Sequence, residues 1–173
     1  MAAVTLAISE DNPGEPDVRA LLRRHLDFAH SNSPADHVHA LAVEGLLDPR
    51  VTFYSARRDG QMVGVGALRR LDATHVEIKS MHVAAEARRG GVGSAILEHL
   101  LATARAGGYR RVSLETGAMD AFAAARRLYE AAGFSRCPPF ADYTDNPFSV
   151  CMTMELPEDG SAAMPRPRMS SAG

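Results

Sequence analysis

The chain has 173 residues, of which 46% are hydrophobic, so it is long enough to bury the core of one globular domain. Its formal net charge of -2 argues against the clustered basic surface of a nucleic-acid-binding protein. No apolar run approaches the roughly 20 residues that a transmembrane helix needs, and residues 1–10 lack the features of a signal peptide. We therefore expect a cytoplasmic protein with no nucleic-acid or membrane partner, and the sequence leaves open whether it forms a homodimer.

The first third of the chain predicts one strand and two helices. Residues 4–9 are a short apolar run typical of a strand. A helix begins near Pro16, with apolar residues at helical spacing, and ends at the turn-forming residues 31–34. Residues 36–47 predict a second, shorter helix, which stops before Pro49 because the residue before a proline avoids helical angles.

The rest of the chain predicts strands that alternate with two further helices. Asp59-Gly60 is typical of a tight hairpin turn and predicts an antiparallel meander. A helix with one apolar stripe begins near Gly91 and ends at Gly107-Gly108, and Asp120 is predicted to cap a helix that runs to Ala132. The strand-helix-strand passage around the first of these helices implies a parallel strand pair. The predicted strands span residues 51–57, 61–71, 74–83, 111–115, 134–136 and 149–156.

The remaining features predict an unstructured C-terminus and no metal site. Residues 157–173 are rich in Pro, Ser, Ala and Arg and lack hydrophobic periodicity, which predicts a disordered tail and leaves residues 1–156 as one domain. The two cysteines share no metal or redox spacing, so we expect free thiols. His37 and His39 would diverge on a helix, and no further ligand has a matching spacing, so we expect no bound metal.

The most informative stretch is Arg88-Arg89-Gly90-Gly91-Val92-Gly93-Ser94, which joins a predicted strand to the start of a predicted helix. Gly91 and Gly93 remove two side chains where the chain turns, so several backbone N–H groups can approach one anion at the positive end of the helix. Arg88 and Arg89 add positive charge there. The spacing matches neither a Walker loop nor the G-x-G-x-x-G fingerprint. The sequence therefore predicts a site for a pyrophosphate held without a metal.

This loop resembles the acetyl-CoA loop of the GCN5-related N-acetyltransferase (GNAT) superfamily, Arg/Gln-x-x-Gly-x-Gly/Ala, at Arg88, Gly91 and Gly93. Two segments that flank it in the family's order strengthen the resemblance. Glu-Ile-Lys-Ser-Met-His-Val, residues 77–83, looks like the family's fourth strand, and Leu-Tyr-Glu-Ala-Ala-Gly-Phe, residues 128–134, is similar to its Leu-Tyr-x-x-x-Gly-Phe segment. The resemblance runs from about residue 51 to residue 156, and the chain looks like a small, bacterial-type member. Phe122 stands where the family often has Asn.

The resemblance implies an α/β (α+β) fold in three layers, with a mixed, mostly antiparallel seven-stranded sheet flanked by about four helices. It implies an acetyl-CoA-dependent N-acetyltransferase that transfers the acetyl group directly to a primary amine of a small molecule. Backbone groups of the fourth strand would hold the pantetheine amides and polarise the thioester carbonyl, and the loop would hold the pyrophosphate. The residues predicted to contact acetyl-CoA are Met81, His82, Val83, Arg88, Arg89, Gly90, Gly91, Val92, Gly93 and Ser94.

Two side chains match the family's positions for acid-base catalysis. Glu77 lies where many members keep a general base, which would draw a proton from the amine directly or through water; the alternative is a solvated glutamate paired with an arginine. Tyr129 lies where the family often places the acid that protonates the CoA thiolate, with a phenol pKa of about 10, close to that of a thiol; the alternative is a core tyrosine. His82 alternates away from Glu77 along the strand, which makes it the weaker candidate base.

Two other functions stay open at this stage. A non-catalytic acyl-CoA-binding module would keep residues 88–94, called the phosphate loop below, although the presence of Glu77 and Tyr129 disfavours such a module. A protein lysine or N-terminal acetyltransferase would act on peptides rather than on free amines. His37 and His39 are candidates to line an acceptor site, and so is the loop of residues 137–147, whose acidic side chains would favour a cationic amine or simply belong to an ordinary surface loop.

Overall fold

The computed structural model describes residues 4–38 and 40–158, and most of the predicted disordered tail lies outside them. In chain order, the strands of the described residues are β1 (Leu6–Glu10), β2 (Val51–Arg58), β3 (Gln61–Arg70), β4 (His75–Val83), β5 (Arg111–Gly117), β6 (Ser135–Arg136) and β7 (Ser149–Glu155). These seven strands form one sheet in the order β1-β2-β3-β4-β5-β7-β6. Only the β4–β5 pair within it is parallel, so the predicted mixed, mostly antiparallel sheet is confirmed.

Helices cover both faces of the sheet. Among the described residues the α-helices are α1 (Pro16–Asn32), α2 (Val43–Leu46), α3 (Val92–Ala106) and α4 (Ala123–Ala132). Added Cβ atoms at Gly64 and Gly66 of β3 would meet Ile96 and Leu100, so this face of the strand lies against α3. His82, which pairs with a β3 residue of the opposite face, contacts α1 instead. The three layers that the resemblance implies are therefore present. No helix in the described part of the chain is long and apolar enough to cross a membrane.

Local sequence signals account for the best-predicted connections. Asp59 and Gly60 have φ values of 50° and 83°, the positive angles that a type I′ hairpin turn requires, and Arg58 pairs with Gln61 across the turn. The apolar stripe of α3 is buried against the sheet, as its periodicity predicts. Both predictions depend on residues close together in the sequence, and both are confirmed.

The predicted helix over residues 36–47 is wrong. The structure has a single 3-10 turn at Ala35–His37 and then, after a stretch without regular structure, the four-residue helix α2. A helix of this length is marginal on its own, and Val38, Val43 and Gly45 all lower its intrinsic propensity. The apolar side chains of the segment also pack in different places, because Val38 lines the cavities described below whereas Leu46 is buried in the core.

The predicted cap at Asp120 is also wrong. A 3-10 turn at Asp120–Phe122 precedes α4, and no side chain caps either element. Arg126 stabilises this connection instead, because its Nη1 donates hydrogen bonds to the carbonyl oxygens of Gly117 (2.6 Å) and Met119 (3.0 Å).

The parallel strands β4 and β5 separate part-way along their length. Their pairing runs from His75 opposite Arg111 to Ile78 opposite Leu114. Both strands continue beyond these residues, β4 to Val83 and β5 to Gly117, but they pair no further with each other. The separation leaves a gap in the sheet in which backbone groups of both strands can meet a ligand.

A bulge in β4 lies beside this gap and changes which side chains face which way. Lys79 pairs with Ala67 and His82 pairs with Val65, so the two residues of β4 between them lie opposite one residue of β3. Ser80 in the bulge has a φ of 54°. Because Ala67 and Val65 share a face of β3, Lys79 and His82 also share a face. The prediction that His82 points away from the face of Glu77 is therefore wrong, because it assumed uninterrupted alternation.

Candidate active site

A cavity of about 510 Å³, called the front cavity here, fills the gap between β4 and β5. Its walls come from the separated ends of the two strands, the phosphate loop, α1 and the beginning of α4. Of the ten residues predicted to contact acetyl-CoA, all but Gly90 line it: Met81, His82, Val83, Arg88, Arg89, Gly91, Val92, Gly93 and Ser94. The structure thus brings the strand segment and the loop, which the sequence treats as separate features, to one site.

The phosphate loop has the backbone geometry of an anion site. Gly91 is the N-terminal flanking residue of α3 with a φ of 77°, and Arg89 also has a positive φ, 66°. A Cβ at Gly91 would meet no atom within 4 Å, so the backbone angle rather than crowding requires glycine there. No side chain caps the first turn of α3, and its N–H groups are available to a ligand at the positive end of the helix.

A third arginine that sequence reasoning missed lies at this loop. Nη2 of Arg58 donates a hydrogen bond to the carbonyl oxygen of Gly90 at 3.3 Å. Arg58 ends β2, and the residues between it and the loop include two strands, so no local pattern predicts the contact. Its guanidinium adds positive charge close to the predicted pyrophosphate position.

An aromatic wall supports Arg88 inside the front cavity. The guanidinium carbon of Arg88 lies 5.5 Å from the ring centroid of Phe28, within the range of a cation–π contact. Phe122 packs edge-on against Phe28 with the centroids 5.4 Å apart. The residue that replaces the family's frequent Asn therefore contributes an apolar surface to the cavity rather than an amide.

Tyr129 lies on α4 and is buried, with its ring at the wall of the front cavity. Its hydroxyl donates a weak hydrogen bond to Sδ of Met81 at 3.9 Å. Burial, and after it the charge of Glu115, raises the pKa of Tyr129 to about 12. The phenol therefore stays protonated at neutral pH, as a proton donor must, although it is a weaker acid than the sequence-based value of about 10 implies.

Glu77 is buried, with 1% of its side chain exposed, which rules out a solvated strand glutamate. Its Oε1 accepts hydrogen bonds from Nζ of Lys79 (3.3 Å) and from the hydroxyl of Tyr143. Its Oε2 is buried and has no hydrogen-bond partner among the described residues. The partner of the carboxylate is thus a lysine of the same strand, together with a tyrosine from the loop of residues 137–147.

Lys79 and Tyr143 separate Glu77 from the front cavity. Nζ of Lys79 donates to the hydroxyl oxygen of Tyr143 at 2.6 Å, which links the three side chains. Burial, and after it the Glu77 carboxylate, raises the pKa of Tyr143 well above its usual value. Glu77 lines a second cavity of about 640 Å³, called the rear cavity here, whereas Lys79 and Tyr143 line both cavities. These two side chains therefore form a wall that the cavities share.

A pair of imidazoles lies on the α1 side of the front cavity. Nδ1 of His25 and Nδ1 of His82 are 3.2 Å apart, so one ring donates to the other. Burial lowers the pKa of His25 to about 4. Burial, and after it the charges of His25, Arg88 and Arg24, lowers the pKa of His82 to about 3. Both rings are therefore neutral near pH 7, and His82 is a weak base despite its place in the cavity.

The histidine pair predicts a specific loss of stability in mild acid. Because the two pKa values fall from 6.5 to about 4 and about 3 on folding, the unfolded chain binds more protons in this range, and stability falls as pH drops below 6.5. We expect the melting temperature of the His25→Gln, His82→Gln double variant to change less between pH 7 and 5 than that of wild type. Exposed His30 provides the control, since His30→Gln should leave the wild-type pH dependence intact. Equal slopes for double variant and wild type would contradict the expectation.

Glu115 is a second acidic side chain of the front cavity that sequence reasoning missed. It lies on β5 where the strand has separated from β4, and burial raises its pKa above the usual value. The signal was present in the sequence, because Glu115 is an acidic residue that follows Val112-Ser113-Leu114 in a predicted strand, where glutamate is disfavoured. The site therefore has two carboxyl groups on different strands, the buried Glu77 on β4 and the half-buried Glu115 on β5.

The remaining predictions concern histidines and metal. His37 lines the front cavity, with its ring centroid 4.9 Å from that of Phe148, and His39 lies outside the described residues. Within residues 4–38 and 40–158, no three His, Cys, Asp or Glu side chains are arranged to hold a metal ion. Cys137 and Cys151 are free thiols, as predicted.

Comparison with known proteins identifies the family. The model of the acetyltransferase (GNAT) family matches residues 16–134. The chain belongs to this family. It is 46% identical over 139 residues to the uncharacterized N-acetyltransferase YsnE of Bacillus subtilis (strain 168), covering 80% of this chain and 92% of the relative. The chain is therefore an acetyltransferase, as the loop and its flanking segments predict.

Solved structures show the same fold. A putative acyl-CoA N-acyltransferase from Klebsiella pneumoniae superposes with a TM-score of 0.72 at 27% identity, covering 88% of this chain and 98% of that one. A GNAT family acetyltransferase from Elizabethkingia anophelis, solved with acetyl-CoA bound, superposes with a TM-score of 0.65 at 20% identity, covering 87% and 98% of the two chains. The three-layer fold predicted from the resemblance is confirmed.

Proposed function

We propose that this acetyltransferase uses acetyl-CoA to acetylate a primary amine of a small molecule. The observation that carries the proposal is the front cavity, which runs from the first turn of α3 through the gap between β4 and β5 to Tyr129. An anion site at one end and a proton donor at the other suit the pyrophosphate and the thioester of one extended ligand. The bound acetyl-CoA in the Elizabethkingia structure, which has the same fold, supports this choice of donor.

In the proposed reaction, each chemical step is assigned to a side chain or a backbone group. Glu77 takes a proton from the ammonium form of the acceptor, and the neutral amine attacks the thioester carbon to form the C–N bond. Backbone N–H groups of the bulged end of β4 stabilise the oxyanion. The C–S bond then breaks, Tyr129 protonates the departing thiolate, and the second proton of the nitrogen restores the phenol. Glu77 finally releases its proton to solvent, so the products are the amide, CoA and one proton.

The enclosure of Glu77 supports a small acceptor over a protein side chain. The carboxylate lies at the rear cavity, and Lys79 and Tyr143 separate it from the front one. An amine that reaches Glu77 therefore does so through the rear cavity, whose volume of about 640 Å³ lies in the range of small-molecule sites. The amine would approach the thioester at the wall that the two cavities share.

An acceptor screen tests the proposal. CoA thiol release is followed with acetyl-CoA and either a panel of free amines or a panel of peptides with lysine or N-terminal amines. The proposal predicts release with at least one class of free amines at a higher kcat/KM than with any peptide. Faster turnover of peptides would favour the protein acetyltransferase alternative, and tight acetyl-CoA binding without release in either panel would favour a non-catalytic binding module.

Tyr129→Phe tests the proposed acid, because one oxygen separates the two interpretations of this residue. A structural tyrosine should lose about 1 kcal/mol of stability at most, the net contribution of one hydrogen bond. A general acid should instead lose turnover, about 10²-fold, at nearly constant melting temperature. The loss should shrink with an acyl donor whose thiol is more acidic, because a better leaving group needs less protonation. Tyr109→Phe, at a residue that lines neither cavity, is the control, and equal kcat in Tyr129→Phe and wild type would remove Tyr129 from the mechanism.

A further inference from the structure

The rear cavity lies on the same face of β3 and β4 as Lys79 and His82, and it extends from Glu77 away from the front cavity. It shares Lys79 and Tyr143 with the front cavity, and at its other end it is lined by Arg50, Arg69 and Asp72. The part of an acceptor that does not react must lie in this space if its amine meets Glu77. The side chains at the far end of the rear cavity therefore decide which acceptors bind.

Glu77, which lines the rear cavity, has one unsatisfied carboxylate oxygen. Lys79 and Tyr143 both donate to Oε1, whereas Oε2 is buried without a hydrogen-bond partner among the described residues. A buried carboxylate oxygen without a donor costs free energy, and native structures rarely leave one so. The ammonium group of a bound acceptor would supply the missing donor and would at the same time bring its proton to the base.

Arg69 lies beside Glu77, and the charge of its guanidinium acts on Asp48 without forming an ion pair with it. Arg69 and Glu77 are directly paired across β3 and β4, and both line the rear cavity. Within residues 4–38 and 40–158, the side chain of Arg69 makes no hydrogen bond and no ion pair. The guanidinium of Arg69 does not form an ion pair with the Glu77 carboxylate, because that carboxylate contacts Lys79 and Tyr143.

Of the other charged side chains that line the rear cavity, Arg50 and Asp72 are already engaged, and Asp142 adds a negative charge that acts on Arg50. Arg50 binds both carboxylate oxygens of Asp48, through Nε at 3.1 Å and Nη2 at 2.8 Å. Asp72 accepts hydrogen bonds from the backbone N–H groups of Thr74 and His75, each at 2.8 Å. Of the two arginines that line this cavity, Arg69 is therefore the one whose guanidinium N–H groups can bind a ligand.

We propose that the acceptor is an amine that also carries a carboxylate, such as a short amino acid, with its carboxylate on Arg69 and its amine on Oε2 of Glu77. This inference rests on the proposed function and names its acceptor class. Side chains of directly paired strand residues start only about 5 Å apart, so the two groups can hold the two ends of one short zwitterion. A guanidinium binds a carboxylate through two parallel hydrogen bonds, which gives both affinity and orientation.

Matched acceptors test the proposal. Free α-, β- and γ-amino acids are compared with their carboxamides, which keep the length and the amine but lose the negative charge, and rates are expressed per neutral amine. For at least one chain length, wild type should use the acid with a kcat/KM about 10-fold or more above that of the amide, as expected for a charge-assisted pair. Equal use of acid and amide at every chain length would overturn the proposal while leaving the acetyltransferase activity established.

Arg69→Gln identifies the residue responsible. This variant should raise KM for the preferred acid about 10- to 100-fold, with unchanged kinetics for the amide and unchanged acetyl-CoA affinity. Arg70→Gln is the matched control, because Arg70 is the exposed neighbour on the same strand and lines neither cavity. A loss in Arg69→Gln that is equal for acid and amide would contradict a carboxylate contact.

A binding measurement separates failure of this proposal from failure of the proposed function. Calorimetry follows titration of the amino acids into the protein saturated with CoA, which needs no turnover. Binding of an acid that is lost in Arg69→Gln and kept in Arg70→Gln supports the site even if no amine is acetylated. Absence of acid binding in wild type overturns the site, whatever the kinetics with other amines.

Discussion

Gly91→Glu is expected to abolish acetyl-CoA binding in a protein that remains folded. The substitution places a negative side chain at the start of α3, where the proposed pyrophosphate would lie, so that two anions would compete for the same N–H groups. The backbone cost is modest, since a non-glycine residue at a φ of 77° costs about 1–2 kcal/mol. Calorimetry with acetyl-CoA, on protein whose melting curve shows a folded state, measures the effect.

Gly108→Glu is the matched control for this prediction. Gly108 follows the other end of the same helix with a φ of 81°, and a Cβ there would also meet nothing within 4 Å. Its backbone penalty should be similar, and a carboxylate at the negative end of the helix adds a small further cost. Gly108→Glu should nevertheless keep wild-type acetyl-CoA affinity. Unchanged affinity in Gly91→Glu would mean that the loop is not the phosphate site.

Glu77→Gln is expected to reduce kcat by about 10²-fold or more, the usual contribution of a general base, with little change in acetyl-CoA affinity. The amide keeps the shape of the side chain and can still accept a hydrogen bond from Tyr143, but it cannot take a proton at neutral pH. The substitution also removes the counter-charge of buried Lys79, so a loss of stability is expected as well. Kinetics must therefore be measured below the melting transition of the variant.

Two further variants, with one control, locate the base if this prediction fails. Glu98→Gln, at an exposed residue of α3, controls for the loss of one charge and should keep wild-type kcat. If Glu77→Gln also keeps it, Glu115→Gln and His82→Gln test the other two candidates, both of which line the front cavity. If Glu77→Gln, Glu115→Gln and His82→Gln each keep wild-type kcat, the amine reaches the site already neutral and needs no protein base.

The fold was largely predictable because its signals are local. The hairpin at Asp59-Gly60, the apolar stripe of α3 and the loop that precedes it each depend on residues within one or two turns of chain. The predicted helix over residues 36–47 was wrong because long-range packing decides the structure of this segment. Its residues pack against different parts of the protein, and no local pattern in the sequence predicts those contacts. Tertiary packing overrides a weak helical propensity.

The site was predictable in its contiguous parts and not in its long-range contacts. No glycine marks the bulge at Ser80, so simple alternation gave His82 the wrong face. Tyr143 is 66 residues from Glu77, and nothing in either segment predicts that the two share a hydrogen bond. Burial of Glu77 and the raised pKa of Tyr129 depend on how the sheet and the helices pack together, and a sequence alone does not show them.

Direct detection of the transferred group tests the central claim most closely. Acetyl-CoA carrying an isotopically labelled acetyl group is incubated with the protein and a panel of small primary amines, and the products are analysed by mass spectrometry. We predict a labelled N-acetyl product from at least one amine, formed in equal amount with CoA and lost in Gly91→Glu but kept in Gly108→Glu. A protein that binds acetyl-CoA yet forms no labelled amide, or that labels only peptides, would contradict the account.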